Sequence, residues 1–169
     1  MEDRIIVRHI ASQDFETKAA VQAQTWRETY KGLLPQWLVD RITPEFALSV
    51  TKRHDPATVF VAFVDGRLVG FAEFCDPARP PSDYPETAEL ASLYVLKQCQ
   101  GLGIGRRLVE SVFAAVSRPR LVLWVFDGNL KAQAFYRHMG FEPTGRFQLE
   151  DGGELRSSEF ANFDASVSA

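Results

Sequence analysis

The stretch from Glu89 to Phe113 constrains the fold more than any other. A β-rich run, ELASLYV, leads to CQGLGIG, where Gly101, Gly103 and Gly105 alternate with side chains, and then directly to the amphipathic RRLVESVF. Leu108, Val112 and Val116 recur at the spacing of one helical face and Pro119 stops the pattern, so the glycines have to form a strand-to-helix turn. Removing side chains there lets the backbone approach a ligand closely. The first turn of the following helix has N–H groups without internal partners and a partial positive charge, so a pyrophosphate can lie across Gly101, Leu102, Gly103, Ile104, Gly105 and Arg106. The same glycines would also suit a turn that needs them for packing alone. Two familiar phosphate loops are excluded by the letters. The dinucleotide pattern G-x-G-x-x-G requires glycine where Arg106 or Leu108 stands, and the nucleoside-triphosphate loop requires lysine and a hydroxyl residue after Gly105, where Arg106 and Arg107 follow.

The remaining chain predicts a mixed set of elements. Arg4 to Ile10 alternates as a first strand, and Ser12 can cap a long helix with Phe15, Ala19, Ala23, Trp26 and Tyr30 on one stripe, ended by Gly32. Pro35 opens a short helix with Trp37 and Leu38, and Thr43-Pro44 reads as a cap with proline at the first helical position. TVFVAFV, Asp65-Gly66 and RLVGFAEF form a hairpin. The four prolines between Asp76 and Glu86 mark a loop lying over or beside another part of the domain rather than a linker, and such a loop can edge a pocket. RLVLWVF from Arg120 is continuous enough to be buried on both faces, Asn129 to Met139 is a helix ended by Gly140, and Phe141–Glu150 and Glu154–Phe163 flank a glycine turn as a last hairpin.

A chain of 169 residues, 46% of them hydrophobic, suits one globular domain spanning 1–169. Its net charge of -3 gives no general attraction to nucleic acid or an anionic membrane, and we expect neither as a partner. MEDRIIVRHI lacks the apolar run of a signal peptide, so a cytoplasmic location is expected. Cys75 and Cys99 are too few for a disulfide framework and show no metal-ligand spacing with the three histidines, so no metal is expected.

Gln100, Gly103 and Gly105 spell Q-x-x-G-x-G after a strand and before a helix. About 30 residues on, NLKAQAFYRHMGF carries Asn129, Ala132, Phe135, Tyr136 and the Gly140-Phe141 pair. In both respects the chain resembles the GNAT superfamily of N-acetyltransferases, over a core of about residues 89–144. The resemblance implies an α/β (α+β) fold: a twisted, mostly antiparallel sheet of about seven strands, helices on both faces, and a central parallel pair that splays to admit acetyl-coenzyme A. It implies transfer of an acetyl group to a primary amine of a small molecule or peptide by direct attack. Gln100 to Arg106 would hold the pyrophosphate and the backbone at Leu93, Tyr94 and Val95 the pantetheine arm, like a missing strand. Asn129 would cap its helix or bond that arm.

Within the same resemblance Tyr136 is the candidate acid for the departing thiolate, although its helical stripe also fits a core position. Some family members carry a glutamate five residues before the asparagine; Trp124 stands there in this chain. Glu89 is the substitute base, on the face shared with Ala91, Leu93 and Val95, although its place at the strand start equally fits a solvated carboxylate; Glu73 is second. Trp26, Tyr30 and Trp37 belong to the region that walls the acceptor cleft in the family, where aromatic rings would stack on an amine or simply pack helices. Cys99 has no histidine nearby in sequence and is set aside as a nucleophile. The departure at Trp124 leaves a second function open, a catalytically inactive acyl-coenzyme A sensor or interaction domain. The final hairpin offers edges through which a homodimer can form.

Overall fold

The computed structural model describes residues 4–153 and 155–166; Glu154, expected to open the last strand, lies outside them. Seven strands form one mixed, mostly antiparallel sheet in the order β1-β2-β3-β4-β5-β7-β6. By internal contacts the chain divides into two compact units, one running up to Phe74 and resuming over Ser92–Ala115, the other comprising Cys75–Ala91 and the residues from Val116 onward.

In the first unit, β1 (Ile5–His9) pairs antiparallel with β2 (Val59–Val64), which pairs antiparallel with β3 (Arg67–Cys75). The β2-β3 turn places Asp65 at φ 50° and Gly66 at φ 79°, the geometry that matches strand twist in a two-residue hairpin. Three helices stand between β1 and β2: α1 (Phe15–Tyr30), α2 (Gln36–Val39) and α3 (Pro44–Arg53). The Thr43 side chain caps α3 by accepting from the Phe46 N–H at 3.1 Å, with Pro44 in the first turn as expected. Ser12 does not cap α1. Residues Ser12–Asp14 form a short 3-10 turn, and the Asp14 carboxylate turns back to accept from the Ala11 N–H at 2.8 Å and from Arg8 at 2.7 and 3.1 Å. The arginine explains the departure, because a charge-assisted fork holds a carboxylate more strongly than a neutral cap would. The unit is completed by the second half of β4 (Thr87–Val95) and by α4 (Ile104–Ala115), which buries Ile104, Leu108, Val109 and Val112 and packs on β1 and β2.

In the second unit, the first half of β4 runs parallel to β5 (Arg120–Phe126), from Thr87↔Arg120 to Leu90↔Leu123, where the register ends. β5 is nearly continuous in burial, as its apolar run requires of a central strand. It pairs antiparallel with β7 (Leu155–Ala161), and β7 with β6 (Glu142–Glu150). The β6-β7 register shifts between Pro143 and Phe147, a bulge that re-aims the side chains within it. α5 (Leu130–His138) follows β5 and is capped by Asn129, whose side chain accepts from the Ala132 N–H at 3.1 Å.

Candidate functional site

The glycine turn is built from the end of β4. The Leu96 N–H donates to the Val69 carbonyl at 2.8 Å, a 3-10 turn follows over Lys97–Cys99, and the Gln100 side-chain amide reaches back to the Val95 carbonyl at 3.0 Å. Gly101 and Gly103 then adopt φ of 80° and 81°, a region that costs an L side chain roughly 1–2 kcal/mol. A Cβ at either position would meet no atom within 4 Å, so conformation rather than crowding calls for glycine, and the space beside the turn is open. Gly105 differs. α4 begins at Ile104, so Ile104, Gly105 and Arg106 form its first turn, and the Arg107 N–H donating to the Gly103 carbonyl at 3.1 Å marks where helical bonding starts. Their N–H groups have no intrahelical acceptor and carry the positive end of a twelve-residue helix. Ile104 points inward at 1% exposure and anchors the turn, whereas Leu102 is exposed.

The two arginines after the glycines divide in role. Arg106 is exposed and pairs with Glu110 one turn on at 3.0 Å, an interaction that water weakens and an anion can replace. Arg107 is committed to structure, donating to the Ile5 carbonyl at 2.9 Å.

Leu93, Tyr94 and Val95 form the last residues of β4. Glycine is required opposite them, since a Cβ at Gly70 would lie 2.8 Å from the Tyr94 carbonyl oxygen. The Tyr94 hydroxyl is 3.2 Å from that of Tyr30, and the Tyr30 ring lies tilted by 54° against Trp26, with ring centroids 4.4 Å apart. The Trp26 indole N–H donates to the Leu38 carbonyl at 3.1 Å, joining α1 to α2. Tyr30 is thus buried and Trp26 half-buried, while Trp37 is largely exposed.

In the second unit, Asn129 adopts the capping half of its expected role. Tyr136 is the buried residue of α5, its ring edge-on to Phe135 and Phe141 at 5.5 and 6.2 Å. Trp124 is half-buried and stands opposite Glu159 in the β5-β7 register, so both side chains share one sheet face.

The carboxylates are where the structure adds most. Glu89 is 3% exposed rather than solvated, and Arg79 from the proline loop holds it: Nη2 donates to Oε1 at 2.7 Å, while Nε and the Arg79 backbone N–H donate to Oε2 at 3.0 and 3.1 Å. Glu73 is buried against Lys18, with His54 Nδ1 at 3.5 Å. Burial would raise its carboxyl, but the His54 hydrogen bond and the Lys18 charge outweigh that and lower it to about 2, leaving a weak base. Glu159, which the sequence did not single out, is completely buried and accepts from the Ser82 hydroxyl, from Tyr84 at 2.9 Å and from Thr144, in the β6 bulge, at 2.7 Å. Burial and Glu159 push the Tyr84 phenol upward. The loop's prolines and its polar Arg79, Ser82 and Tyr84 are visible in sequence; their carboxylate partners, ten and more than seventy residues away, are not.

Among the described residues no cluster of His, Cys, Asp and Glu is placed to hold a metal ion. The open glycine turn, the helix start and the exposed arginine form an electropositive backbone cradle whose chemistry matches a diphosphate.

A family model described as "Acetyltransferase (GNAT) family" matches residues 21–141. A probable N-acetyltransferase of Mycobacterium tuberculosis is 27% identical over 147 residues, covering 84% of this chain and 82% of the relative. A 5-NmdU N-acetyltransferase of Pseudomonas phage PaMx11 is 30% identical over 122 residues, covering 70% and 84%. Among solved structures, the PaiA N-acetyltransferase of Thermoplasma acidophilum in complex with coenzyme A superposes with a TM-score of 0.66 at 24% identity, over 92% of this chain and 97% of that one.

Proposed function

We propose, since this chain belongs to the acetyltransferase (GNAT) family and is an N-acetyltransferase, that residues 1–169 form a single domain which moves the acetyl group of acetyl-coenzyme A onto a primary amine of a small molecule or peptide by direct attack. The observation that carries this reading is the turn at Gly101 and Gly103, which delivers an open run of backbone N–H groups to the start of α4 inside the matched segment. In this reading the N–H groups of Ile104, Gly105 and Arg106 hold the diphosphate, with Gly101 and Leu102 beside it, and Arg106 leaves Glu110 to join them. The backbone at Leu93, Tyr94 and Val95 bonds the pantetheine amides. Gln100 steadies the Val95 carbonyl until the arm arrives, and Asn129 contacts the arm from the cap of α5.

An acetyl thioester is already activated, so positioning does much of the work. An amine of pKa near 10.4 is neutral in about one molecule in 2,500 at pH 7, a deficit of roughly 4.6 kcal/mol. Glu89 receives the amine proton, and Tyr136 hydrogen-bonds or protonates the leaving thiolate. Trp26 and Tyr30 stand on the acceptor side, where a cationic amine suits an aromatic wall. No helix among the described residues is long and apolar enough to cross a membrane. The reading takes the protein as cytoplasmic, with the β6 edge, where Phe147 and Leu149 are exposed, as the surface for a homodimer.

The test is a pair of measurements. Acetyl-coenzyme A at 100 times its dissociation constant should stabilise the fold by about 2.7 kcal/mol, and amine-dependent thiol release should follow. Tyr136→Phe should keep that stabilisation while turnover falls by about a hundredfold. Absence of the stabilisation would defeat the donor site, and unchanged turnover would remove Tyr136 as the acid.

A further inference from the structure

Resting on the reading of Glu89 as the carboxylate that takes the amine proton, we propose that Arg79 is a resident stand-in for the acceptor's ammonium: a positioning residue that caps Glu89 and that a cationic amine must displace. Glu89 is 3% exposed, and its two oxygens accept three bonds from Arg79, one of them from the backbone. The Arg79 side chain itself is 61% exposed, so the inner partner of the pair is shielded and the outer one faces solvent. A fork of this kind presents to the carboxylate what an alkylammonium presents, a cation with N–H donors, in the same place.

The proline loop that carries Arg79 is fastened on either side of it. Asp76 accepts from the Ser117 N–H and hydroxyl, both at 2.8 Å, and pairs with Arg118; beyond Arg79, Ser82 and Tyr84 donate to Glu159. The Glu89 side chain shares a sheet face with Val122, its β5 partner, and therefore with Trp124 and with Glu159 across β7. The loop thus straps two buried carboxylates on one face, with hydroxyls over Glu159 and a removable cation over Glu89. Hydroxyls satisfy a buried carboxylate without competing for an ammonium, whereas the guanidinium occupies the place an ammonium needs.

The chemistry balances as a proton exchange. The incoming R–NH3+ takes the position of the guanidinium, one of its N–H bonds breaks as an O–H bond forms on Glu89, and the nitrogen keeps its electron pair for the thioester. Glu89 later returns that proton to water and is recapped. If the capped form accounts for about nine molecules in ten, it raises the apparent KM for the amine roughly tenfold without affecting the donor.

The experiment measures acetyl-coenzyme A binding, and kcat and KM for spermidine, lysinamide and butylamine, in the wild type, Arg79→Gln, Arg79→Lys and Glu89→Gln, after confirming folding by thermal unfolding. Arg79→Gln should lower the amine KM about tenfold with kcat within about twofold, and leave the acetyl-coenzyme A dissociation constant unchanged. Arg79→Lys, which cannot fork, should lie between, and it carries the test if Arg79→Gln does not fold. Glu89→Gln should abolish the acid limb of the pH dependence of kcat. An unchanged or raised amine KM in folded Arg79 variants overturns the proposal. Loss of turnover with KM unchanged also overturns it, because Arg79 would then orient Glu89 for catalysis rather than cap it. Failure of the underlying reading looks different: the wild type would not bind acetyl-coenzyme A, or Glu89→Gln would leave turnover and its pH profile unaltered.

Discussion

Replacing Lys18 with methionine probes the first unit at its most highly charged buried point. The Lys18 side chain is 0% exposed, and its ammonium donates to Glu73, to Gln22 Oε1 at 2.8 Å and to Thr51 Oγ1 at 3.1 Å, while standing 4.4 Å from the centroid of the Phe71 ring. Burial would raise the Glu73 carboxyl, but the His54 hydrogen bond and the Lys18 charge lower it from its ordinary 4.5 to about 2, while burial pulls the Lys18 ammonium downward. Lys18→Met leaves that carboxylate buried, with His54 Nδ1 still 3.5 Å away. Breaking one side of a buried pair costs about 3–5 kcal/mol, which for a chain of this size lowers Tm by roughly 6–20 °C. Because the folded pKa is depressed, the Glu73 contribution is complete above about pH 4.5 and is lost as pH falls toward about 2; Glu73→Gln should lack that slope. The double variant Lys18→Met/Glu73→Gln should recover more than half of the loss, since removing both charges removes the unpaired one. Urea unfolding followed by tryptophan fluorescence at pH 7 and pH 3 measures all four proteins. The reasoning fails if Lys18→Met stays within about 1 kcal/mol of the wild type, or if the double variant is no more stable than Lys18→Met.

Gly103→Ala should cost roughly 1–2 kcal/mol of stability through its φ of 81° alone, because a Cβ there meets open space, and should weaken acetyl-coenzyme A binding by calorimetry; an alanine variant with wild-type stability would mean that the turn relaxes freely. Glu159→Gln puts an N–H2 group in place of one oxygen of a carboxylate whose Oε1 accepts from Tyr84 and Thr144 and whose Oε2 accepts from Ser82, and should lower stability by about 1–3 kcal/mol in urea titrations, with Thr144→Val losing less because two donors remain. A loss under about 0.5 kcal/mol for Glu159→Gln would mean that the hydroxyls simply reorient.

Local physics made much of this protein readable from its residues. Two β-rich runs and the Asp65-Gly66 pair between them mark the β2-β3 hairpin, Thr43-Pro44 and Asn129 announce helix starts that form as expected, and the apolar run from Arg120 becomes a central strand. Each signal depends on neighbours within a few residues, where steric limits, capping bonds and periodicity operate whatever the rest of the chain does. The glycine turn is legible as a strand-to-helix turn, but its equal spacing does not tell that Gly101 and Gly103 take positive φ while Gly105 joins α4.

Tertiary structure decided the charges. The α1 stripe reads as apolar, yet Lys18 lies inside it because Glu73, 55 residues on, supplies its counter-charge. Glu89 looked like a solvated strand end until the fold brought Arg79 over it, and Glu159 is tolerable at full burial because Ser82, Tyr84 and Thr144 converge from a loop and a bulge. A buried charge persists only where distant donors satisfy it, and the convergence of such donors depends on register and loop path, which no local pattern encodes.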